Sequence, residues 1–287
     1  MNILVTGCNG QLGRSLQDLQ ASHPQFNWFN TDVEQLDITK PEKIERYIEG
    51  NKIDGIINCA AYTAVDRAEE NETMALLLNA EAPAFLARAI EQRNGWFIQI
   101  STDYVFDGKK QSPYREDDET QPQSVYGKTK LAGEFNALKF CRQTVIIRTA
   151  WLYSVYGANF VKTMLRLGSE RDEIGVVDDQ HGTPTNAADL ASAILEIICQ
   201  GIKPGIYHYT NEGKTTWCRF AQQIMRYANL PCTVQPLTTD QYPTPAQRPA
   251  YSILDKSKIK NEYHIGIPQW QDSLKNTVQQ LQTAHEA

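Results

Sequence analysis

The chain has 287 residues, of which 41% are hydrophobic and 22% charged, an ordinary globular composition that fills one large or two small domains. A formal net charge of -6 argues against a nucleic-acid or membrane-surface partner, because both select a basic face. No apolar run reaches the ~18 residues a membrane span needs, and the N-terminus enters a strand with no basic-then-apolar leader, so no secretory signal is expected.

The predicted elements alternate along the chain. Asn2–Val5 reads as a strand and Gln11–Ala21 as a helix, joined by Gly7-x-x-Gly10-x-x-Gly13. Asn27–Thr31 is a second strand. Helix Pro41–Gly50 follows, with Thr39 suited to a cap and Pro41 to the first turn. Gly55–Cys59 reads as a buried strand, and a long helical region covers Val65–Asn94 with Pro83 at an internal start or kink. Trp96–Ser101 and Thr144–Arg148 are the next strands, with helix Tyr126–Leu138 between them. This rhythm predicts an α/β fold with a Rossmann-type, doubly wound parallel sheet. Beyond Thr149 the rhythm loosens. Short strands (Ile174–Val177, Ile206–Tyr209) interleave with helices Ala187–Cys199, Trp217–Ala228 and Gln271–Thr283. Pro231–Pro249, rich in Pro, Thr and Gln, reads as an ordered surface loop over a site. Residues 1–150 are therefore expected to form a dinucleotide-binding domain. Residues 151–287 are expected to form mainly a substrate-binding lobe, with some segments returning to the sheet.

The strand–turn–helix at the N-terminus is the context a dinucleotide site requires. Gly7 permits the tight turn, Gly10 lets backbone approach a pyrophosphate, and Gly13 lets the helix pack on the strand. The helix N-terminus adds free amides and a positive dipole end. In the middle of the chain Tyr126 and Lys130 stand four residues apart and share a helix face. The ammonium is expected to pull the phenol below its usual value near ~10, which suits a Tyr that exchanges a proton with a substrate oxygen. Thr102 ends an apolar strand, so its hydroxyl can reach the same oxygen. The Gly-rich turn, Ala60-Ala61-Tyr62-Thr63 and Ser101-Thr102-Asp103 all fall at strand carboxyl ends, where open parallel sheets bind ligands. The six cysteines, with no Cys-x-x-Cys pair, read as reduced and mostly buried, which points to a cytoplasmic setting. The five histidines form no ligand-spaced cluster.

These landmarks resemble the extended short-chain dehydrogenase/reductase superfamily, and within it the dTDP-4-dehydrorhamnose reductase family. The resemblance spans nearly the whole chain. It rests on Gly7-x-x-Gly10-Gln11-Leu12-Gly13, Asn58-Cys59-Ala60-Ala61-Tyr62-Thr63-x-Val65-Asp66, and Ser101-Thr102-Asp103-Tyr104-Val105-Phe106-Asp107-Gly108. It continues in Pro122-x-x-x-Tyr126-Gly127-Lys128-Thr129-Lys130-x-x-Gly133-Glu134 and Arg148-Thr149-x-Trp151. Asp179-Gln180-x-Gly182-x-Pro184-Thr185 and Arg248-Pro249-x-x-Ser252-x-Leu254 complete it. It implies hydride transfer from NADPH or NADH to the C4 ketone of a nucleotide-linked 4-keto-6-deoxy sugar, dTDP-4-dehydrorhamnose, with Tyr126 protonating the alkoxide. Lys130 would hold the nicotinamide ribose, and Thr102 would hydrogen-bond the C4 oxygen. Gly7, Gly10, Gln11, Leu12, Gly13, Ala60, Ala61 and Thr63 would line the cofactor site. Asp32, past the second strand, would accept from the adenosine 2′-hydroxyl and favour NADH, whereas Asp37-Ile38 also fits an adenine contact, and Arg14 lies close enough for a 2′-phosphate.

Thr102, Asp103, Tyr104, Trp151 and Arg248 are the candidate substrate contacts. The two aromatics would flank the sugar and Arg248 would fork onto the diphosphate. Core aromatics and a surface Arg account for the same residues without a ligand. Asn79 matches an Asn that supports the catalytic helix or a proton-relay water in related enzymes, and a solvated helix Asn is the plain alternative. Dehydratases of the superfamily follow Thr with Asp-Glu; here Tyr104 replaces the Glu, so no base for C5 is expected. Some relatives bridge a homodimer through a metal held partly by a carboxylate in the first turn after the Gly-rich loop. That turn here carries Arg14 and Ser15, so a homodimer stays compatible, Mg2+ rests on family analogy alone and no metal ligand is assigned. Two competing functions stay open: an NAD-dependent nucleotide-sugar 4-epimerase and a non-catalytic NADP-binding regulatory subunit.

Overall fold

The computed structural model describes residues 1–286. Strand β1 (Asn2–Thr6) leads through the Gly-rich turn into helix α1 (Gln11–Gln20), and β2 (Asn27–Thr31) leads to α2 (Pro41–Gly50). After β3 (Gly55–Asn58) come α3 (Val65–Glu70), α4 (Glu72–Leu76), a π turn at Leu77–Glu81, and α5 (Ala82–Glu91). Strand β4 (Trp96–Thr102) ends in a 3-10 turn at Asp103–Val105, and α6 (Val125–Phe140) precedes β5 (Thr144–Thr149). The second half contributes β6 (Leu152–Tyr153), α7 (Phe160–Glu170), β7 (Glu173–Val177), β8 (His181–Gly182), β9 (Thr185–Asn186) and α8 (Ala187–Gln200). Then follow β10 (Gly205–His208), β11 (Thr215–Thr216), α9 (Trp217–Ala228), β12 (Thr233–Leu237), α10 (Ser257–Tyr263) and α11 (Trp270–Glu286).

Six strands form one parallel sheet in the order β10-β5-β4-β3-β1-β2. Strands β3 and β5 are buried along their whole length, as expected of a sheet covered on both faces. One face packs under α1, α8 and α10 with Ile3, Val5, Ile57, Ile98 and Ile147. The other packs under α2, α5 and α6 with Leu4, Ile56, Phe97 and Ile146. Such a doubly wound layer is Rossmann-type. Strand β10 and helix α8, both from the second half, belong to this layer. A separate core around Tyr153, Val161, Ile174, Phe220, Ile224, Trp270 and Leu274 holds α7, α9, α11 and the small sheets. No helix among the described residues is long and apolar enough to cross a membrane.

Two expectations need correction. The helical region after Val65 is not continuous: it breaks at Asn71 and widens into the π turn before Pro83. Pro83 has no amide to offer the carbonyl of Asn79, so the regular ladder cannot pass through that point. The widened turn is also where α6 comes closest. A Cβ on Gly133 would stand 2.0 Å from the Asn79 carbonyl oxygen, so only glycine fits there. The stretch Pro231–Pro249 is not all loop, since β12 pairs in parallel with β7. Alternation of buried Val234 with exposed Thr233 and Gln235 is a strand pattern that the surrounding prolines obscured.

Candidate active site

The carboxyl ends of β1, β3, β4 and β5 share one edge of the sheet. A buried polar chain runs just beneath it. Thr6 Oγ1 donates to Asn58 Oδ1 at 2.5 Å, Asn58 Nδ2 to Gln99 Oε1 at 2.7 Å, and Gln99 Nε2 to the Ile100 carbonyl at 2.8 Å. The first two links join neighbouring strands, β1 to β3 and β3 to β4, and the third stays within β4, so the loops above them start from fixed positions.

The Gly-rich turn opens at this edge. Gly7 has φ +62°, and a Cβ there would stand 2.7 Å from the Ala60 backbone. A Cβ on Gly13 would stand 2.5 Å from the Gly7 carbonyl oxygen. Those two glycines are required by the protein's own packing. Gly10 differs: it is exposed, and its Cβ would meet only the Gly7 oxygen, at 3.2 Å. It precedes α1 with no side-chain cap, so the first amides of that helix stay free. The bare turn and free amides form a cradle that fits a pyrophosphate.

The neighbouring residues are held in place by the chain itself. Asp32 Oδ2 accepts from the Asn9 amide at 3.1 Å and Oδ1 from the Val33 amide at 2.8 Å. Asp37 Oδ1 takes the Thr39 hydroxyl at 2.6 Å and the Thr39 amide at 3.0 Å. The Thr39 hydroxyl bond does most to hold that carboxyl low. Ile38 and Leu12 are core residues. Gln11 Oε1 accepts from Ser154 and Asn159, at 3.1 and 3.0 Å, so its side chain ties the turn to the segment after β6. Ala60 and Ala61 are half-buried and Thr63 exposed. Asn79 is 1% exposed, which excludes the solvated reading. Its Oδ1 accepts from the Tyr62 amide at 2.8 Å, and its Nδ2 donates to the Tyr62 carbonyl and to Thr129 Oγ1, both at 3.1 Å. Asn79 therefore pins the loop after β3 to helix α6.

Helix α6 starts at a Ser124 cap, whose hydroxyl accepts from the Gly127 amide at 3.1 Å. A Cβ on Gly127 would lie 2.3 Å from the Tyr104 carbonyl oxygen, so the helix abuts the turn after β4. Tyr126 is 9% exposed and meets the Tyr104 ring edge-on at 5.5 Å. Thr102 Oγ1 donates to Asp103 Oδ1 at 3.0 Å and accepts from the Tyr104 amide at 3.2 Å. Lys130 is buried, and its Nζ donates to the Ile100 carbonyl at 2.6 Å.

The electrostatics depart from expectation. Burial pushes the Tyr126 phenol up to about 12, partly opposed by a hydrogen bond with Thr102, and Asp103 pushes it further up. Burial pushes Lys130 down to about 8, against the pull of Glu134 and Cys59. The ammonium faces the Ile100 carbonyl, so it does not lower the phenol; desolvation dominates both groups. Asp103 is 2% exposed, and burial raises its carboxyl to about 6, opposed in part by the neighbouring hydroxyls of Ser252 and Thr102. Its Oδ2 has no partner among the described residues. Burial likewise raises the Tyr104 phenol.

Trp151 and Arg248 have unexpected partners. Trp151 is held at φ +49°, uncommon for a bulky residue, and stacks on Trp217 at 3.6 Å. One of its faces is therefore already covered. Arg248 forks onto Asp66 at 2.8 and 2.7 Å and also donates to the Ala246 carbonyl. The carboxylate also accepts from the Ala246 amide, and the Arg248 bond does most to hold it low. This fastens the segment before Pro249 to the start of α3. The same segment continues across the site: Tyr251 donates to the Gly108 carbonyl and Ser252 to that of His181. A depression lined by Tyr104, Phe106, Ser124, Gln247 and Arg248 lies beneath it.

The family model described as the RmlD substrate binding domain matches residues 1–283. The chain belongs to this family. It is 42% identical over 286 residues to a dTDP-4-dehydrorhamnose reductase of Aggregatibacter actinomycetemcomitans, covering 96% of this chain and 97% of that one. A crystal structure of a dTDP-4-dehydrorhamnose reductase from Clostridium acetobutylicum matches with a TM-score of 0.95 at 43% identity, over 98% of this chain and 100% of that one. The Bacillus anthracis dTDP-4-dehydrorhamnose reductase, solved in complex with NADP, matches with a TM-score of 0.93 at 38% identity, over 97% and 99% of the two chains.

Sequence reasoning gave no role to several residues that build this site: Asp66, Ser252, Trp217 and the pair Glu134–Arg148. All but Trp217 stood inside the motifs that carried the resemblance. Their partners lie far along the chain, and no local pattern pairs them.

Proposed function

We propose that this chain reduces the C4 ketone of dTDP-4-dehydrorhamnose to give dTDP-L-rhamnose, using NADPH or NADH. The reading rests on family membership together with one observation of the site: the Thr102 hydroxyl, the Tyr126 phenol and Lys130 converge, buried, at the strand edge beside an open Gly-rich cradle. The cradle of Gly7, Gly10 and Gly13, with Asp32, Asp37, Ala60, Ala61 and Thr63 around it, would hold the dinucleotide, and the reduced nicotinamide supplies hydride. Gln11 and Leu12 would contribute through backbone, since their side chains are engaged elsewhere.

The chain's own residues do the rest. A phenol held near 12 is fully protonated at neutral pH, as a proton donor to a nascent alkoxide must be. Tyr126 donates that proton, and Thr102 steadies the C4 oxygen as charge grows on it. Lys130 carries its positive charge below about pH 8 and would hold the ribose. The unpaired Asp103 Oδ2 is an acceptor suited to a sugar hydroxyl. Tyr104 and what Trp151 leaves exposed beside Trp217 and Gly182 would flank the sugar. Arg248 can meet a diphosphate only by sharing its fork with Asp66. The raised Tyr104 phenol supplies no base for C5. Nucleotide-sugar chemistry of this kind supports a cytoplasmic location.

The test is direct. Protein, NADPH or NADH and dTDP-4-dehydrorhamnose are mixed, and loss of reduced-nicotinamide absorbance is followed with product identification. Stoichiometric dTDP-L-rhamnose is expected. No turnover with either cofactor refutes the proposal.

A further inference from the structure

Beneath the site lies a buried ionic network that the chemistry above does not use. Glu134 stands one turn past Lys130 on the buried face of α6, and Tyr126, Lys130 and Glu134 follow one another at four-residue spacing. Arg148 donates to both Glu134 oxygens, through Nε at 2.9 Å and Nη2 at 2.7 Å. Ser101 Oγ donates to the same carboxylate. Glu134 and Arg148 are each 2% exposed. Ser101 and Arg148 face each other in register across β4 and β5, and the guanidinium lies over the Phe106 ring at 5.0 Å. One carboxylate therefore joins both strands and α6, and its cation packs on the turn beyond Thr102.

Stability alone is a weak reason for such a pair. Desolvating two charges costs about as much as their attraction returns, and apolar replacements of both are often neutral. The placement suggests a different role. Ser101 is bonded in sequence to Thr102, and Lys130 is bonded through space to the next carbonyl back, Ile100.

We propose that Ser101, Glu134 and Arg148 are positioning residues for the reaction: together they fix Thr102 against α6 and place a negative charge that keeps Lys130 in its ammonium form. The inference rests on the reductase reading but makes a separate claim. The groups around Lys130 are few. Tyr126 and Glu134 share its helix, Asp103 lies in the turn after β4, Arg148 is engaged by Glu134, and Cys59 follows β3 with its thiol held up at about 12 and so uncharged. Glu134 is thus the anion that offsets burial at Lys130. Without that charge Lys130 loses its proton at lower pH.

The experiment measures kcat/KM and NADPH affinity against pH for the wild type and for Glu134→Gln, which keeps the shape and loses the charge. With Lys130 lowered to about 8 by burial, the wild type should show an alkaline limb in both readouts. In Glu134→Gln both limbs should move about one unit to lower pH, the scale of a lost buried opposite charge. A second variant, Glu134→Leu with Arg148→Met, removes the whole pair without leaving a lone charge, so it should fold. It should show a limb displaced in the same direction, though by less than in Glu134→Gln, with a normal melting temperature. Unchanged limbs in either folded variant overturn the proposal, and failure of both variants to fold makes the network a structural element and overturns it too. If the wild type binds NADPH but turns over no sugar nucleotide, the reductase reading fails, while the binding limb still judges the network.

Discussion

Replacing Tyr126 by Phe separates chemistry from packing. The ring is 9% exposed and rests edge-on against Tyr104, and Phe retains both contacts. What is lost is one hydroxyl and its hydrogen bond with Thr102, worth about 1 kcal/mol of stability. For a domain of this size that is a fall of roughly 2–4 °C in melting temperature. The phenol is also the proposed proton donor, and losing a positioned general acid costs ~100-fold or more, or at least about 2.7 kcal/mol of transition-state stabilisation. The expected result is therefore a large kinetic loss with a small thermal one. It would be measured by steady-state reduction of dTDP-4-dehydrorhamnose, by calorimetry, and by NADPH titration, where affinity should hold. Turnover within tenfold of wild type would refute the assignment of Tyr126. A matched collapse of stability and cofactor binding would show that the hydroxyl acts in packing.

Three further outcomes follow from the same geometry. Gly10→Val should keep the fold, because only the Gly7 oxygen at 3.2 Å opposes the new side chain, yet should abolish NADPH binding; wild-type affinity would make the turn merely structural. Asp103→Asn should be more stable than wild type above pH 6 and lose turnover. The wild-type carboxyl sits near 6 when folded, above its ordinary 3.8, so its burial costs stability as pH rises through that window; a variant with an unchanged melting curve at pH 7.5 would contradict this. Incubation with dTDP-glucose and oxidised cofactor should yield no 4-keto-6-deoxy product, and its appearance would mean that Tyr104 does not face C5.

The alternation of strands and helices, the Gly-rich turn and the Tyr126–Lys130 spacing were legible in the sequence because each is a local pattern. Buried strands such as Ile56–Ile57 and Val145–Ile147 announce themselves by apolar runs, and a turn at φ +62° demands Gly7. What tertiary structure decided is who meets whom and how dry the meeting place is. Asp66 and Arg248 are 182 residues apart in the chain and share two hydrogen bonds. Trp217 covers Trp151, and β10 completes the sheet from the second half. Lys130 stands four residues from Tyr126, and spacing alone predicted a lowered phenol; the folded site raises it to about 12. The sign reversed because a pKa answers to burial and to the direction an ammonium points. Both are set by contacts that close only when distant segments pack.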